Sequence, residues 1–282
     1  MASAGHEVVR LVRREPAAVT ESEWDPDGGQ IDPDVLDDVD AVVNLSGVGI
    51  ADRPLTAKRK TIVRSSRINS TRTLVRALTA RHSGTGSAPA LIQSSATGWY
   101  PTEGSQQPLT EDTASGSGWI ARLVADWEQE ARPAADAGVR VVWMRTSPVL
   151  GADGGMLPLM RRAWSLGAGA QLGDGRQHMP IVQLQDYLDF VLWAAGNDQA
   201  SGPYNLTIPE PTTNGEFSDE LASQLHRPRI LRAPSKLLSV ALGDLADQLL
   251  GDVWLVPKRA TDAGFTFGAP DVTAAIRASL HH

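Results

Sequence analysis

The sequence contains no cysteine in its 282 residues. This absence excludes disulfides, thiolate metal ligands and a cysteine nucleophile, and it favours a reducing compartment. No apolar run approaches the roughly 18 residues needed to span a membrane, and the first residues lack the charged and then apolar segments of a signal peptide. We therefore predict a cytoplasmic protein with no membrane partner.

The sequence also has no excess of basic residues. It contains 26 Lys and Arg and 33 Asp and Glu, so its net charge is −7. Nucleic-acid binding needs a basic face, so nucleic acid is not expected as a main partner. The hydrophobic content of 41% and charged content of 21% are ordinary for a globular enzyme, whose partner would be a small-molecule substrate. The oligomeric state stays open, with a homodimer as one candidate.

Apolar strands alternate with helices in the first half of the chain. Strands are predicted at 7–12, 39–45, 90–95 and 139–144, and long helices at 55–80 and 117–136. Strands that are apolar on nearly every residue indicate a parallel sheet covered on both faces, which predicts a Rossmann-like, doubly wound α/β fold. The strand at 7–12 is expected to be buried, and residues 15–38, which are broken by Pro and Gly, are expected to be irregular.

Beyond residue 150 the pattern loosens into a glycine-rich stretch and shorter elements. Helices are predicted at about 156–166, 185–196 and 214–225, a strand at 203–207, and short helices from 235 to 280. We therefore predict a dinucleotide-binding domain at 1–150 and a smaller substrate-side region at 151–282, which includes a helical module from about residue 232.

The glycine-rich turn that normally follows the first strand of a dinucleotide-binding fold is missing. That turn places a pyrophosphate at a helix N-terminus. Typical element lengths put the missing strand and helix at about 20 residues. We therefore expect a sheet that lacks its first strand, and a shortened, inactive form of the protein is one hypothesis.

Three groups of residues could hold a cofactor. Arg13 and Arg14 follow the first predicted strand, where arginine suits the 2′-phosphate of NADP and an acidic residue suits NAD, although a solvated basic turn is the alternative. Ser46, in the turn from Asn44 to Gly47, could let the backbone approach a ligand or simply end a strand. Arg67 lies on the sheet-facing stripe of a helix, where a phosphate, an acidic side chain or a snorkelling conformation could accommodate its charge.

The most specific segment runs from Gln93 to Tyr100, where a strand ends in two serines that small residues and then two aromatics follow. Ser95 would present its hydroxyl at the ligand face of the sheet and could hydrogen-bond a substrate oxygen at the hydride-transfer carbon. Trp99 and Tyr100 could stack on a ring or close the site. A Ser/Thr-rich turn with core aromatics is the alternative.

These segments together resemble an epimerase-like subfamily of the extended short-chain dehydrogenase/reductases, the NAD-dependent epimerase/dehydratase superfamily. The matching motifs are spread over essentially the whole chain. They are Trp24-Asp25-Pro26, Asn44 to Gly47, Ser66-Arg67, the Ser94-Ser95-Ala96-Thr97 run, Leu109 to Asp112, Trp127-Glu128, Arg145 to Gly151, Gly173 to Gln177, Gly202 to Thr207, Val256 to Arg259 and Ala263 to Phe265.

The resemblance implies an NADP(H) site and a substrate pocket. It implies cofactor contacts at Arg13, Leu45, Ser46, Arg67 and Val149. It implies that Arg176 and Asn205 face the substrate, beside Tyr100, with Ser95 as the catalytic residue. We therefore predict an oxidoreductase that prefers NADP(H) over NAD(H) and acts on an unknown, sugar-nucleotide-like small molecule.

Two departures from the family pattern bear on activity. The Tyr-x-x-x-Lys pair that serves as general acid/base in active relatives is absent, since the corresponding stretch reads Trp119-Ile-Ala-Arg-Leu123. Gln183 and Gln185 stand where relatives carry His and Asp. The alternative hypothesis is therefore a non-catalytic NADP(H)-binding protein. The histidines of the chain do not show metal-ligand spacing, so no metal site is predicted.

Overall fold

A computed structural model describes residues 2–228 and 231–280. The strands in these ranges are β1 Arg10–Val12, β2 Glu21–Asp25, β3 Gln30–Ile31, β4 Ala41–Asn44, β5 Ala90–Ala96, β6 Val141–Thr146, β7 Val149–Leu150, β8 Ala170–Leu172, β9 Val182–Gln183, β10 Gly202–Leu206 and β11 Leu231–Ala233. The helices are α1 Ala57–Thr85, α2 Trp119–Asp136, α3 Leu157–Ser165, α4 Leu184–Gly196, α5 Asn214–Gln224, α6 Ser235–Leu242, α7 Asp244–Leu250, α8 Lys258–Asp262 and α9 Val272–Leu280.

The largest sheet contains four strands in the order β10-β6-β5-β4. β4 runs parallel to β5, with Ala41 opposite Ala90 and Asn44 opposite Gln93. Consecutive parallel strands require a crossover, and α1 supplies it between β4 and β5. The predicted α/β class with a parallel sheet is therefore confirmed, and the predicted strands at 39–45, 90–95 and 139–144 each fall on one of its strands.

A second, small sheet corrects the prediction for the start of the chain. β1 is only three residues long and pairs in parallel with β2, with Arg10 opposite Glu21. The predicted burial of this strand is wrong, because Arg10 is exposed and Leu11 and Val12 are half-buried. The prediction that 15–38 is irregular is also wrong where β2 and β3 form. The sequence of β2 hides the strand, since only Trp24 is an apolar residue in it.

The first compact unit comprises residues 1–94, 126–143 and 191–202. Its long helix α1 begins after Thr56, whose Oγ1 accepts a hydrogen bond from the Arg59 backbone N–H at 3.2 Å, and ends at Gly86, whose φ of 75° suits glycine. The core of this unit is apolar and buried. Its members are Leu36, Val75, Leu78, Leu91, Ala131, Ala134, Val139, Val141 and Trp143.

The second compact unit comprises residues 95–125, 144–190 and 203–282. Its core surrounds the fully buried Trp164 and Phe217, and α3, α5 and α9 contribute to it. The predicted helices of this half are present, whereas the short parallel pairs β7·β9 and β8·β11 were not predicted. Pairs of two or three residues carry too little hydrophobic pattern to be recognised in a sequence.

The predicted division at residue 150 remains a prediction, since the two compact units are each assembled from three separate stretches of chain. The helical module predicted from about residue 232 corresponds to α6 to α9. In the described ranges, no helix combines the length and the apolar character that a membrane crossing requires.

Candidate functional site

Buried amides hold the carboxyl end of β4 in the first unit. Asn44 Nδ2 donates to Gln93 Oε1 at 2.9 Å and to Thr71 Oγ1 at 3.3 Å, and Trp127 Nε1 also donates to Thr71 Oγ1, at 3.1 Å. Asn44 Oδ1 then accepts the backbone N–H of Ser46 at 3.1 Å. The network therefore fixes the turn that carries two predicted cofactor contacts.

Those two residues differ in exposure. Leu45, which directly follows β4, is 57% exposed. Ser46 is half-buried. The sequence did not assign a role to Gln93, Thr71 or Trp127, although Trp127 lies in a motif that carries the family resemblance. Their function is to orient the turn, and only their spatial proximity shows it.

Arg67 lies directly behind this turn. Its Nη1 donates to the backbone carbonyls of Val48 at 3.0 Å and Val63 at 3.1 Å, and its Cζ lies 5.1 Å from the centre of the Trp127 ring. A Cβ on Gly47 would approach the Arg67 guanidinium to 3.2 Å, so glycine keeps the turn close to the charge. Burial, and then the neighbouring charge of Arg59, lower the pKa of Arg67. In the described part of the chain, no carboxylate pairs with it.

Arg13 and Arg14 follow β1 and both meet carboxylates. Arg14 donates to Glu21 through both terminal nitrogens, at 2.8 and 2.9 Å, and this hydrogen bond is the main cause that lowers the pKa of Glu21. Arg13 pairs with Asp27, which also accepts from Asn69 on α1 at 2.9 Å. Side chains of Arg13 and Asp27 are more than half exposed, so this ion pair is a weak one.

In the second unit, Ser95 is the penultimate residue of β5 and is buried, at 4% exposed. Thr97 follows in a short turn, and its Oγ1 donates to the Thr146 carbonyl at 3.4 Å. The next residue must be small, because a Cβ on Gly98 would lie 2.6 Å from Ile120 Cγ2. Glycine at position 98 is thus required by close packing against the start of α2.

Tyr100 and Asn205, which were both predicted to face the substrate, are bonded to each other in the second unit. Tyr100 Oη donates to Asn205 Oδ1 at 2.6 Å and accepts from Arg145 Nη1 at 3.0 Å. Tyr100 is 1% exposed, and burial is the main cause that raises its pKa to about 12. The phenol is therefore a neutral member of a buried network at physiological pH. Its predicted contact with a substrate remains a prediction.

Glu111 joins this network from the loop before α2. Its Oε1 accepts the backbone N–H of Asn205 at 3.0 Å and of Arg259 at 3.2 Å, and Arg145 donates to its backbone carbonyl at 3.0 Å. Its Oε2 is buried and has no hydrogen-bond partner among the described residues. Burial raises the pKa of Glu111.

Sequence reasoning gave Glu111, Arg145 and Arg259 no role, although each lies in a motif that carries the family resemblance. The Arg145 guanidinium also lies 4.0 Å from the centre of the Trp99 ring. The signal that could have identified this group is the co-occurrence of charged residues in otherwise apolar segments, since buried charges need partners.

The other predicted residues are separate from this network. Val149 is half-buried in β7, opposite Val182 of β9. Arg176 is exposed, and its backbone N–H donates to Asp174 at 3.1 Å. Ser147, which precedes β7, has a buried Oγ with no hydrogen-bond partner among the residues that the structure describes.

Gln183, one of the two amides that depart from the family pattern, caps the start of α4. Its Oε1 accepts the backbone N–H groups of Gln185 and Asp186. Asp186 in turn accepts the backbone N–H groups of Gly268 at 2.6 Å and Ala269 at 3.0 Å. These contacts are structural, and they occupy the atoms that a proton-transfer role would need.

A cleft in the second unit has a polar lining with three carboxylates and no Lys, Arg or His. It is lined by Tyr100, Pro101, Thr102, Glu103, Gly116, Ser117, Gly118, Trp119, Ile120, Ala121, Asp244, Asp247 and Gln248. Such a lining disfavours a phosphate and suits hydroxyl groups. No group of three His, Asp or Glu side chains that could hold a metal ion occurs within the described ranges.

Comparison with known proteins identifies the family. Residues 1–207 match the NAD-dependent epimerase/dehydratase family, and residues 233–279 match a domain of unknown function, DUF1731. The chain therefore belongs to the NAD-dependent epimerase/dehydratase family, which confirms the resemblance inferred from its motifs.

Individual relatives agree with this assignment. The epimerase family protein Mb2239 of Mycobacterium bovis is 41% identical over 266 residues, which cover 94% of this chain and 86% of the relative. The structure of the human epimerase family protein SDR39U1 (isoform 2) with NADPH superposes with a TM-score of 0.87 at 26% identity, covering 100% of this chain and 93% of that one. A nucleoside-diphosphate sugar epimerase from Corynebacterium glutamicum gives a TM-score of 0.79 at 30% identity, covering 99% of this chain and 53% of that one. The Rossmann-like fold is thus confirmed.

Proposed function

We propose that this protein is an NADP(H)-dependent oxidoreductase that acts on a small molecule of the sugar-nucleotide type. The observation that carries the proposal is the half-buried Arg67 guanidinium, which has no carboxylate partner among the described residues and lies against the Gly47 backbone. A phosphate bound there would supply the missing negative charge.

The residues around Arg67 fit a dinucleotide. Asn44 fixes the turn of Leu45 and Ser46 at the carboxyl end of β4. Ligands in open α/β sheets bind at such strand ends. Glycine at position 47 allows backbone approach. When bound, the nicotinamide ring would supply the hydride acceptor or donor, and Val149 remains a predicted contact for the same cofactor.

The preference for NADP(H) rests on Arg13. Its ion pair with Asp27 is mostly exposed and so costs little to open, which leaves the guanidinium able to bind a 2′-phosphate. The human relative whose structure was determined with NADPH supports this choice.

In the second unit, Ser95 is the proposed catalytic residue. Its hydroxyl would hydrogen-bond the substrate oxygen at the carbon that gains or loses hydride. The name of the Corynebacterium relative supports a nucleoside-diphosphate sugar as the substrate class. Arg176, Asn205 and Tyr100 are the predicted substrate contacts.

A non-catalytic NADP(H)-binding protein is the second candidate. It is favoured by the start of α2, which has Trp119 and Leu123 in place of the Tyr and Lys of active relatives. It is also favoured by the structural use of Gln183 as a cap.

Binding and turnover separate the candidates. Titration of the full chain with NADPH and with NADH should show saturable binding that is tighter for NADPH, and absence of binding at high micromolar cofactor would refute both candidates. Reduction of a panel of keto-sugar nucleotides should then be lost in Ser95→Ala and kept in the neighbouring Ser94→Ala. NADPH binding without turnover of any substrate would favour the non-catalytic candidate.

A further inference from the structure

Arg59 and Arg67 lie about two turns apart on α1 and reach the same loop. Arg59 Nη2 donates to the Gly49 carbonyl at 2.6 Å, and Arg67 Nη1 donates to the Val48 carbonyl at 3.0 Å. The backbone N–H of Val48 also donates to Ser66 Oγ at 3.1 Å, which fixes the loop on the helix. Two guanidinium groups are thus held at consecutive peptide carbonyls.

The positive charge of this pair is poorly compensated. Arg59 pairs with Asp52, whose Oδ2 lies 3.7 Å from Arg59 Nη2 and whose side chain is 68% exposed, so solvent weakens the interaction. Arg59 Nε is buried and has no hydrogen-bond partner in the described part of the chain. Two like charges held close together in a partly buried place favour binding of an anion.

The donors that remain match a particular anion. Each guanidinium has five N–H donors in a planar fork, and only some of them are used by the backbone carbonyls of Val48, Gly49 and Val63. A phosphoryl group accepts such a fork through two oxygens. We propose that Arg59 and Arg67 form a binding site for a diphosphate group, with one guanidinium for each phosphoryl group.

This inference rests on the proposed function for the source of the diphosphate. It is either the pyrophosphate of the dinucleotide cofactor or the diphosphate of a nucleoside-diphosphate sugar. The acidic cleft of the second unit does not suit either group, because its lining contains Glu103, Asp244 and Asp247 and no basic side chain. The arginine pair has the charge that both sources require.

Calorimetric titration of the full chain with inorganic pyrophosphate tests the site directly. We expect saturable binding by the natural sequence and about tenfold or greater weakening in Arg59→Gln and in Arg67→Gln, because each removes a charged donor. Arg64→Gln is the matched control, since Arg64 is exposed on the same helix and pairs with Asp126. Absence of saturable binding, or equal weakening in Arg64→Gln, would overturn the proposal.

Lysine variants separate anion binding from loop support. Arg59→Lys and Arg67→Lys keep the charge and lose the planar fork, so we expect weaker binding than in the natural chain and stronger binding than in the Gln variants. If the Gln variants do not fold, the Lys variants alone test the proposal. Pyrophosphate affinity equal to that of the natural chain in both Lys variants would contradict binding of each phosphoryl group by one planar guanidinium.

Competition distinguishes the two sources. Displacement of pyrophosphate by NADPH identifies the cofactor, and displacement by UDP-glucose identifies a nucleotide-sugar; displacement by neither overturns the proposal. Binding of UDP-glucose and pyrophosphate without NADPH binding would keep the diphosphate site and reject the proposed cofactor. If Arg59→Gln and Arg67→Gln bind NADPH as well as the natural chain does, and UDP-glucose does not bind, the diphosphate site at Arg59 and Arg67 is refuted. NADP(H) as the proposed cofactor would still stand.

Discussion

Arg67 in the first unit and Arg145 in the second are both withdrawn from solvent, and their surroundings differ. Arg145 is 3% exposed and donates to Tyr100 Oη and the Glu111 carbonyl while stacking on Trp99. Among the described residues, Arg67 hydrogen-bonds two backbone carbonyls and lies over the Trp127 ring, and its charged neighbour is another guanidinium. Arg145 is therefore built into a buried network, whereas Arg67, for which we propose a phosphate ligand, has no carboxylate partner in the described part of the chain.

The largest expected effect is a difference in the free energy of unfolding between variants of the two arginines. Arg145→Gln should lower the free energy of unfolding by about 3 kcal/mol, because it leaves buried acceptors of Tyr100 and Glu111 without a donor. Arg67→Gln should change it by about 1 kcal/mol or less, because the lost bonds are offset by relief of repulsion with Arg59. Urea denaturation measures both, and equal losses would abolish the contrast.

A smaller loss is expected at Asn205, which belongs to the same network as Arg145. Asn205→Ala should cost about 2 kcal/mol, because the Tyr100 hydroxyl and the Val256 carbonyl lose their partners in a buried place. Asn197→Ala, in a half-buried loop position, is the control and should cost less. An unchanged urea midpoint in Asn205→Ala would show that the network does not stabilise the second unit.

The pH dependence of stability tests the burial of Glu111. A carboxyl whose pKa is raised in the folded state contributes stability that is complete below its unfolded pKa and is lost as the pH rises through the folded value. The natural chain should therefore lose stability relative to Glu111→Gln as the pH rises toward neutrality.

Glu216 supplies the control of opposite sign. The Thr213 backbone N–H lowers its pKa, so the natural chain should gain stability relative to Glu216→Gln over the same rise in pH. Urea midpoints measured across the carboxyl range give both differences. Parallel curves for the natural chain and Glu111→Gln would contradict the raised pKa.

The smallest effect on stability is expected at Arg13. Arg13→Gln should change the free energy of unfolding by less than about 0.5 kcal/mol, since its ion pair is exposed. Its NADPH affinity should fall about tenfold while its NADH affinity stays the same, because only NADPH carries the 2′-phosphate. Equal loss of both affinities would show that Arg13 does not select the cofactor.

Much of the first unit could be predicted from the sequence. The strands β4, β5 and β6 and the helix α1 follow from apolar runs and a long periodic segment, which are local patterns. β2 could not be predicted, because Trp24 is its one apolar residue and its other buried residue is the charged Glu21. The buried carboxylate of Glu21 is accommodated in β2 because Arg10 and Arg14 both pair with it.

The sequence by itself determined the family and the α/β class, because these depend on residue type and order along the chain. The tertiary structure decided which charged residues meet. It placed Glu111, Arg145 and Asn205 in one buried network, and it brought Arg59 beside Arg67 at a single loop. The physical reason is that the energy of a charge depends on its burial and on neighbours distant in sequence, which no local pattern records.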